Sequence, residues 1–315
     1  MTRLTYPQTL ALGAALALSL QGCSSSPAAE SVSAPVRPAV AVAEAAPTLV
    51  GPGLWKVADE DTTVYLFGTV HALPKDVDWY TGTIADALAS SQELVTEIPS
   101  SASSDPALQQ MVMAKAVLPA GQSLRGLLSE PDRTSYEMAL TQLGMPPASF
   151  DRFEPWFAGM TMAILPLMRA GYEAESGVEK KLEALAPPSI ARGALETLEW
   201  QIDMFDGLPQ ESQIAFLMVS ADHLDDIRPT MDAMVAEWLE GDADALAALM
   251  NKGLTDSQLA SALLYDRNAN WAEWIDNRLD NPGTVFLAVG AGHLAGEQSV
   301  QDFLEARGLA VTRVQ

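Results

Sequence analysis

The chain holds three histidines, and two of them close the same four-residue pattern. Gly68-Thr-Val-His71 follows the apolar run Val64-Tyr-Leu-Phe67, and Gly290-Ala-Gly-His293 follows Thr284-Val-Phe-Leu-Ala-Val289. A glycine three residues before a histidine lets the backbone turn sharply, or approach a ligand closely, where a Cβ would intrude. Glu97 ends a third apolar run, Leu94-Val-Thr-Glu97, where a carboxylate is costly unless it has a partner. Two imidazoles and a carboxylate are a frequent recipe for a divalent metal with open coordination positions. Such an ion acidifies bound water and polarises a carbonyl, which is the chemistry of hydrolysis. The same donors suit Mn, Co, Zn or non-haem iron, so the metal stays open. So does the plainer alternative of two unrelated histidines, each hydrogen-bonded in its own turn. His223, in Ala221-Asp-His-Leu-Asp-Asp226, lacks the glycine and reads as a surface histidine.

The elements that must position these groups follow from the hydrophobic pattern. Leu54 to Val57, the polar Asp59-Glu-Asp61 and Thr63 to Phe67 predict a hairpin. Thr83 to Ser91 predicts a short helix with Ile84, Ala87 and Leu88 on one face, and Leu94 to Ile98 a compact strand. His71 and Glu97 thus stand at two strand ends of a βαβ-like unit, the edge where open α/β sheets usually build sites. Residues 105 to 280 read as a large helical insertion, with one strand near Ile190 to Leu195. Met231, Met234, Val235, Trp238 and Leu239 form an amphipathic stripe within it. Strand, turn, helix and strand close the chain over 284–289, 290–296, 298–307 and 309–314. The expected fold class is α/β, a mixed sheet bearing two Gly-x-x-His strand ends. No Gly-x-Ser-x-Gly elbow, phosphate loop or His-Glu-x-x-His helix occurs.

With 315 residues and a formal net charge of −23, the chain lacks the basic footprint of a nucleic-acid binder. Arg3 and the apolar Leu10 to Leu20 predict a signal peptide over residues 1–22. Leu20-Gln21-Gly22-Cys23 resembles a bacterial lipobox, with Cys23 as the lipidated residue. Serine rather than aspartate follows it, which points to the outer membrane, facing the periplasm. Cys23 is the sole cysteine, so neither a disulfide framework nor a catalytic thiolate is available. Residues 23–49, rich in Ser, Ala, Pro and Val, read as a disordered tether. The folded domain is expected over 50–315.

From about residue 54 to 314 the chain resembles the TraB/GumN family, which is related to the Tiki proteases and more distantly to erythromycin-esterase and ChaN-like proteins. The likeness rests on Leu54-Trp-Lys-Val57, Leu66-Phe-Gly-Thr-Val-His71 and Leu94-Val-Thr-Glu97. It continues through Leu124 to Leu128, Glu154-Pro-Trp156, Leu195-Glu-Thr197 with Gln201, and Trp238-Leu-Glu-Gly-Asp242. Arg267-Asn268 and Val289-Gly-Ala-Gly-His-Leu-Ala-Gly296 complete it. The resemblance implies an α/β fold and, from Tiki relatives, metal-dependent peptide cleavage. By that implication His71, Glu97 and His293 hold the metal, and Glu97 also serves catalysis. Arg267 and Glu196 become substrate-positioning or supporting groups. In Gly177-Val178-Glu179 a glutamate stands where the family pattern suggests aspartate, which alters that acid's reach. The expected function is an envelope lipoprotein hydrolysing a peptide or protein substrate. The alternative is a non-catalytic haem-, metal- or peptide-binding protein of the same fold.

Overall fold

The structure, a computed structural model, describes residues 51–251 and 257–315. The expected leader, Cys23 and the tether lie outside the described residues. The described residues belong to one compact unit.

Six strands among the described residues make one mixed sheet. They are β1 (Leu54–Ala58), β2 (Thr62–Thr69), β3 (Glu93–Thr96), β4 (Ala191–Ala194), β5 (Gly283–Gly290) and β6 (Val311–Arg313), in the order β4-β3-β5-β2-β1-β6. β1 and β2 are the expected hairpin, closed by Asp59. Its Oδ1 accepts from the Asp61 and Thr62 amides at 3.1 and 2.8 Å, the side-chain turn mimicry typical of aspartate. β2, β5, β3 and β4 pair in parallel, so their carboxyl ends share one edge. β5 is central, and Val285 to Val289 are buried on both faces as an interior parallel strand requires. β2 and β3 flank it although β2 lies more than two hundred residues, and β3 nearly two hundred, before it in the chain. Register places Thr69 beside Gly290 and Thr96 beside Ala288. This pairing brings the ends that carry His71, Glu97 and His293 together.

The helices are α1 (Gly82–Ser90), α2 (Pro106–Lys115), α3 (Leu124–Leu127), α4 (Glu130–Gln142), α5 (Pro155–Arg169), α6 (Val178–Leu185), α7 (Leu198–Asp206), α8 (Gln210–Asp222), α9 (Ile227–Glu240), α10 (Ala243–Asn251), α11 (Ser257–Ala260), α12 (Asp266–Leu279) and α13 (Val300–Ala306). α1 buries Ile84, Ala87 and Leu88, the face its spacing predicts. On one side of the sheet Phe67, Leu94 and Phe286 pack with Val178, Val235 and Trp238 from α6 and α9. On the other, Val64, Leu66, Val285 and Leu287 pack with Trp271, Ile275 and Leu304 from α12 and α13. The alternation of residues along β2 and β5 produces these two cores. A third core, with Tyr136, Leu140, Met162 and Leu217, is built by helices and their connecting loops and includes no strand residue.

Several boundaries shift from expectation. β3 ends at Thr96 rather than at residue 98, the C-terminal helix spans 300–306, and the last strand is only 311–313. Backbone hydrogen bonds continue past both strand ends, from the Glu196 amide to the Glu97 carbonyl and between Leu54 and Gln315, but outside the regular ladder. Apolar pattern alone does not reveal where regular pairing stops. Among the described residues of 105–280 the regular elements are helices except for β4, which pairs with β3 and so belongs to the sheet.

Candidate active site

Each side chain of the site is carried to the carboxyl edge by its own element. Gly68 is the penultimate residue of β2, and its absent Cβ lets Ala291 approach; an added Cβ would lie 3.1 Å from the Ala291 Cα. Trp238 Nε1 on α9 donates to the Gly68 carbonyl at 2.9 Å, which anchors the strand end from below. His71 follows in the turn. Its Nδ1 lies 2.5 Å from Glu179 Oε1, and the Thr69 hydroxyl donates to the same oxygen at 2.6 Å. The glutamate at 179 therefore reaches His71 directly, from the first turn of α6. Gly177 allows this contact, because a Cβ there would stand 2.1 Å from the His71 carbonyl oxygen. The 2.5 Å bond to Glu179 raises the His71 pKa to about 9 against partial desolvation by the surrounding site. Solvent still reaches the ring, whose side chain is 71% exposed, and screens the ion pair.

Glu97 follows β3 and is buried. Its Oε1 accepts from the Gly290 amide at 2.6 Å, so the turn after β5 binds the residue after β3. Its Oε2 accepts from Arg267 Nη2 at 2.6 Å and from Gln201 Nε2 at 3.3 Å. Burial acts to raise its pKa, yet the charges of His293, Arg267 and His71, with the Gly290 amide, outweigh burial and lower it to about 2. His293 is itself neutral at ordinary pH. Burial first, then the neighbouring charges of Arg267 and His71, lower its pKa to about 3 despite Glu97. Arg267, hydrogen-bonded to Glu97 Oε2, is the cation in direct contact with that carboxylate.

Arg267 comes from α12, after a widened helical turn over Ser261–Tyr265. Its Nε donates to Glu196 Oε1 at 2.9 Å, and Nη2 donates to Glu196 Oε2 at 2.9 Å and to Glu97. Nη1 meets the Leu263 carbonyl at 3.0 Å and His293 Nε2 at 3.1 Å. A guanidinium has five N–H donors. All are committed within the protein, where Arg267 holds Glu97 and His293. Glu196 in turn accepts from Trp271 Nε1 at 2.9 Å and from Gln201 at 2.9 Å. Trp271 lies 4.3 Å from the His293 ring and 4.7 Å below the guanidinium, closing the site from the α12 side.

His71, Glu97 and His293 converge on one point. A Cβ on Gly290 would stand 3.0 Å from Glu97 Oε1, 3.5 Å from His293 Cδ2 and 3.8 Å from His71 Nε2. His293 Nε2 is 3.9 Å from Glu97 Oε1. Both Nδ1 atoms are engaged, one by Glu179 and the other by Asn268 at 2.6 Å. Outer partners of this kind usually orient imidazole ligands. Imidazole and carboxylate are donor types that divalent ions take. As the side chains stand, however, no group of three His, Cys, Asp or Glu among the described residues is arranged to hold a metal. The guanidinium of Arg267 already supplies the positive charge between Glu97 and His293. His223 lies elsewhere, with a side chain 66% exposed beside Asp226.

Sequence reasoning assigned no role to Asn268, Trp271 or Gln201. The available signal was the i, i+4 spacing of Arg267 and Trp271, which places both on one face of α12.

A protein of Treponema pallidum (strain Nichols), described as an uncharacterized protein, is 25% identical over 272 residues, covering 81% of this chain and 80% of that protein. No solved structure matches the chain significantly. The model of the TraB/PrgY/gumN family matches residues 53–313, the whole sheet and every residue of the site, and the chain belongs to that family.

Proposed function

We propose that the protein is a metal-dependent hydrolase acting on peptides, with His71, Glu97 and His293 as the metal-holding set. The observation that carries this reading is the convergence of the three side chains on the Cβ-free space at Gly290, with both imidazole Nδ1 atoms already engaged. When bound, a Mn²⁺, Co²⁺ or Zn²⁺ ion supplies Lewis-acid polarisation of a carbonyl and activation of water. The chain's own residues do the rest. Gly290, Gln201 and Arg267 fix the Glu97 carboxylate, while Trp271 packs against the His293 ring and the Arg267 guanidinium. His71 lies on the open side, where a substrate has access.

Peptide turnover with each metal added, wild type against Glu97→Ala, tests the reading. We expect turnover with at least one metal and a loss of at least a hundredfold in the variant. Equal turnover of the two proteins under every metal removes the catalytic claim. One observation favours a second reading, metal holding without catalysis: Arg267 has no N–H left for a substrate oxygen. Metal binding without turnover in the same experiment selects it.

We also propose that the protein is a lipid-anchored envelope protein, on the strength of Leu20-Gln-Gly-Cys23. No helix among the described residues is long and apolar enough to cross a membrane. Cys23→Ala is expected to move the protein from the membrane to the soluble fraction of expressing cells. An unchanged membrane fraction rejects the anchor.

A further inference from the structure

Among the described residues one non-glycine residue has positive φ, Gln298 at 58°. It lies just before Ser299, the residue that caps α13 with a reciprocal Ser299–Asp302 pair. Left-handed backbone disfavours a residue with a Cβ, and such strain persists where the surroundings enforce it. Here the strained residue turns its carbonyl oxygen onto Asn268 Nδ2, at 2.7 Å. A carbonyl only accepts, so the asparagine atom facing it must be the NH₂. The opposite atom, Oδ1, then faces His293 Nδ1 at 2.6 Å and can only accept. His293 must carry its proton on Nδ1. A second contact requires the same: Arg267 Nη1 has only N–H to offer at 3.1 Å, so Nε2 presents a lone pair.

We propose that Asn268, oriented by the strained Gln298 carbonyl, is a positioning residue that locks His293 as the Nδ1–H tautomer, with its Nε2 lone pair facing the Glu97 site. The lock stands on the hydrogen bonds alone, while its use in holding a metal rests on the function proposed above. Nothing covalent changes. The protein fixes in advance which nitrogen carries the lone pair, here engaged by Arg267 Nη1, as outer partners of imidazole ligands do.

The chain's three histidines make imidazole NMR tractable. Long-range ¹H–¹⁵N correlations on the metal-free full chain at pH 7 read the tautomer of each ring. Wild-type His293 is expected as Nδ1–H; an Nε2–H signature overturns the proposal without any variant. Asn268→Leu is expected to give mixed or broadened His293 signals, and Asn268→Asp to restore the single tautomer. Gln298→Gly keeps the carbonyl, so it should leave the tautomer intact. A sharp Nδ1–H signature in Asn268→Leu means that Arg267 alone sets the ring, and overturns the role of Asn268. Titration with Zn²⁺ alone is the second readout, with a 10–100-fold weaker affinity expected in Asn268→Leu. Equal affinity in the two proteins also overturns the role. If wild type shows the Nδ1–H tautomer yet binds no Zn²⁺, the lock is upheld and the metal reading falls.

Discussion

Arg267 illustrates how one residue converts three acceptors into a single unit. Its guanidinium bridges Glu97 and Glu196, with all three side chains less than one-tenth exposed. Burying these charges is costly, and their mutual hydrogen bonds compensate only while every partner is present. Removing Arg267 leaves two carboxylates without their cation. Arg267→Met is therefore expected to lower stability by about 3–5 kcal/mol, read from urea unfolding. The exposed pair of Lys75 and Glu173 sets the contrast, at 69% and 43% exposure. Lys75→Met should cost less than about 1 kcal/mol. If Arg267→Met costs no more than Lys75→Met, the cluster is not the buried unit its geometry implies.

At the scale of elements, the site depends on two close backbone approaches. The turn after β5 sits against β2 because Gly68 lacks a Cβ. The start of α6 sits against the His71 turn because Gly177 does, and the Val178 amide donates to the Val70 carbonyl at 3.0 Å across that contact. Gly177→Ala would force a carbon to within 2.1 Å of a backbone oxygen, which cannot yield as a flexible side chain can. We expect a loss of about 1–3 kcal/mol in thermal or urea unfolding, together with a changed His71 imidazole spectrum as Glu179 retreats. A stability unchanged from wild type, with the His71 spectrum intact, would contradict this account of the α6 junction. The other carrier, α12, contributes Arg267, Asn268 and Trp271 from one end while its remaining apolar face packs on the sheet. The helix that builds the site is thereby also part of the core.

At the scale of the whole molecule, the parallel sheet does the assembling. His71 and His293 are more than two hundred residues apart in the chain, yet β2 and β5 are neighbours in register. β3 completes the set from the other side of β5. The helical core of α4, α5 and α8 stands apart from both sheet cores and contributes none of the residues that touch Glu97. The helices that do reach the site are α6, α7 and α12, through Glu179, Gln201 and Arg267.

Local pattern sufficed for the two glycine–histidine turns, the strands leading into them, the helix over Ile84 to Leu88 and the surface place of His223. These depend on short-range periodicity and backbone freedom, which neighbouring residues encode. Glu97 was legible too, as an acid ending an apolar run. The convergence of these groups was not, because it arises from strand order and register between segments far apart in the chain. Nor was the commitment of Arg267's five donors, the reach of Glu179 to His71, or the chain from Gln298 through Asn268 to His293. Those are contacts between different elements, and only tertiary packing decides which donor meets which acceptor.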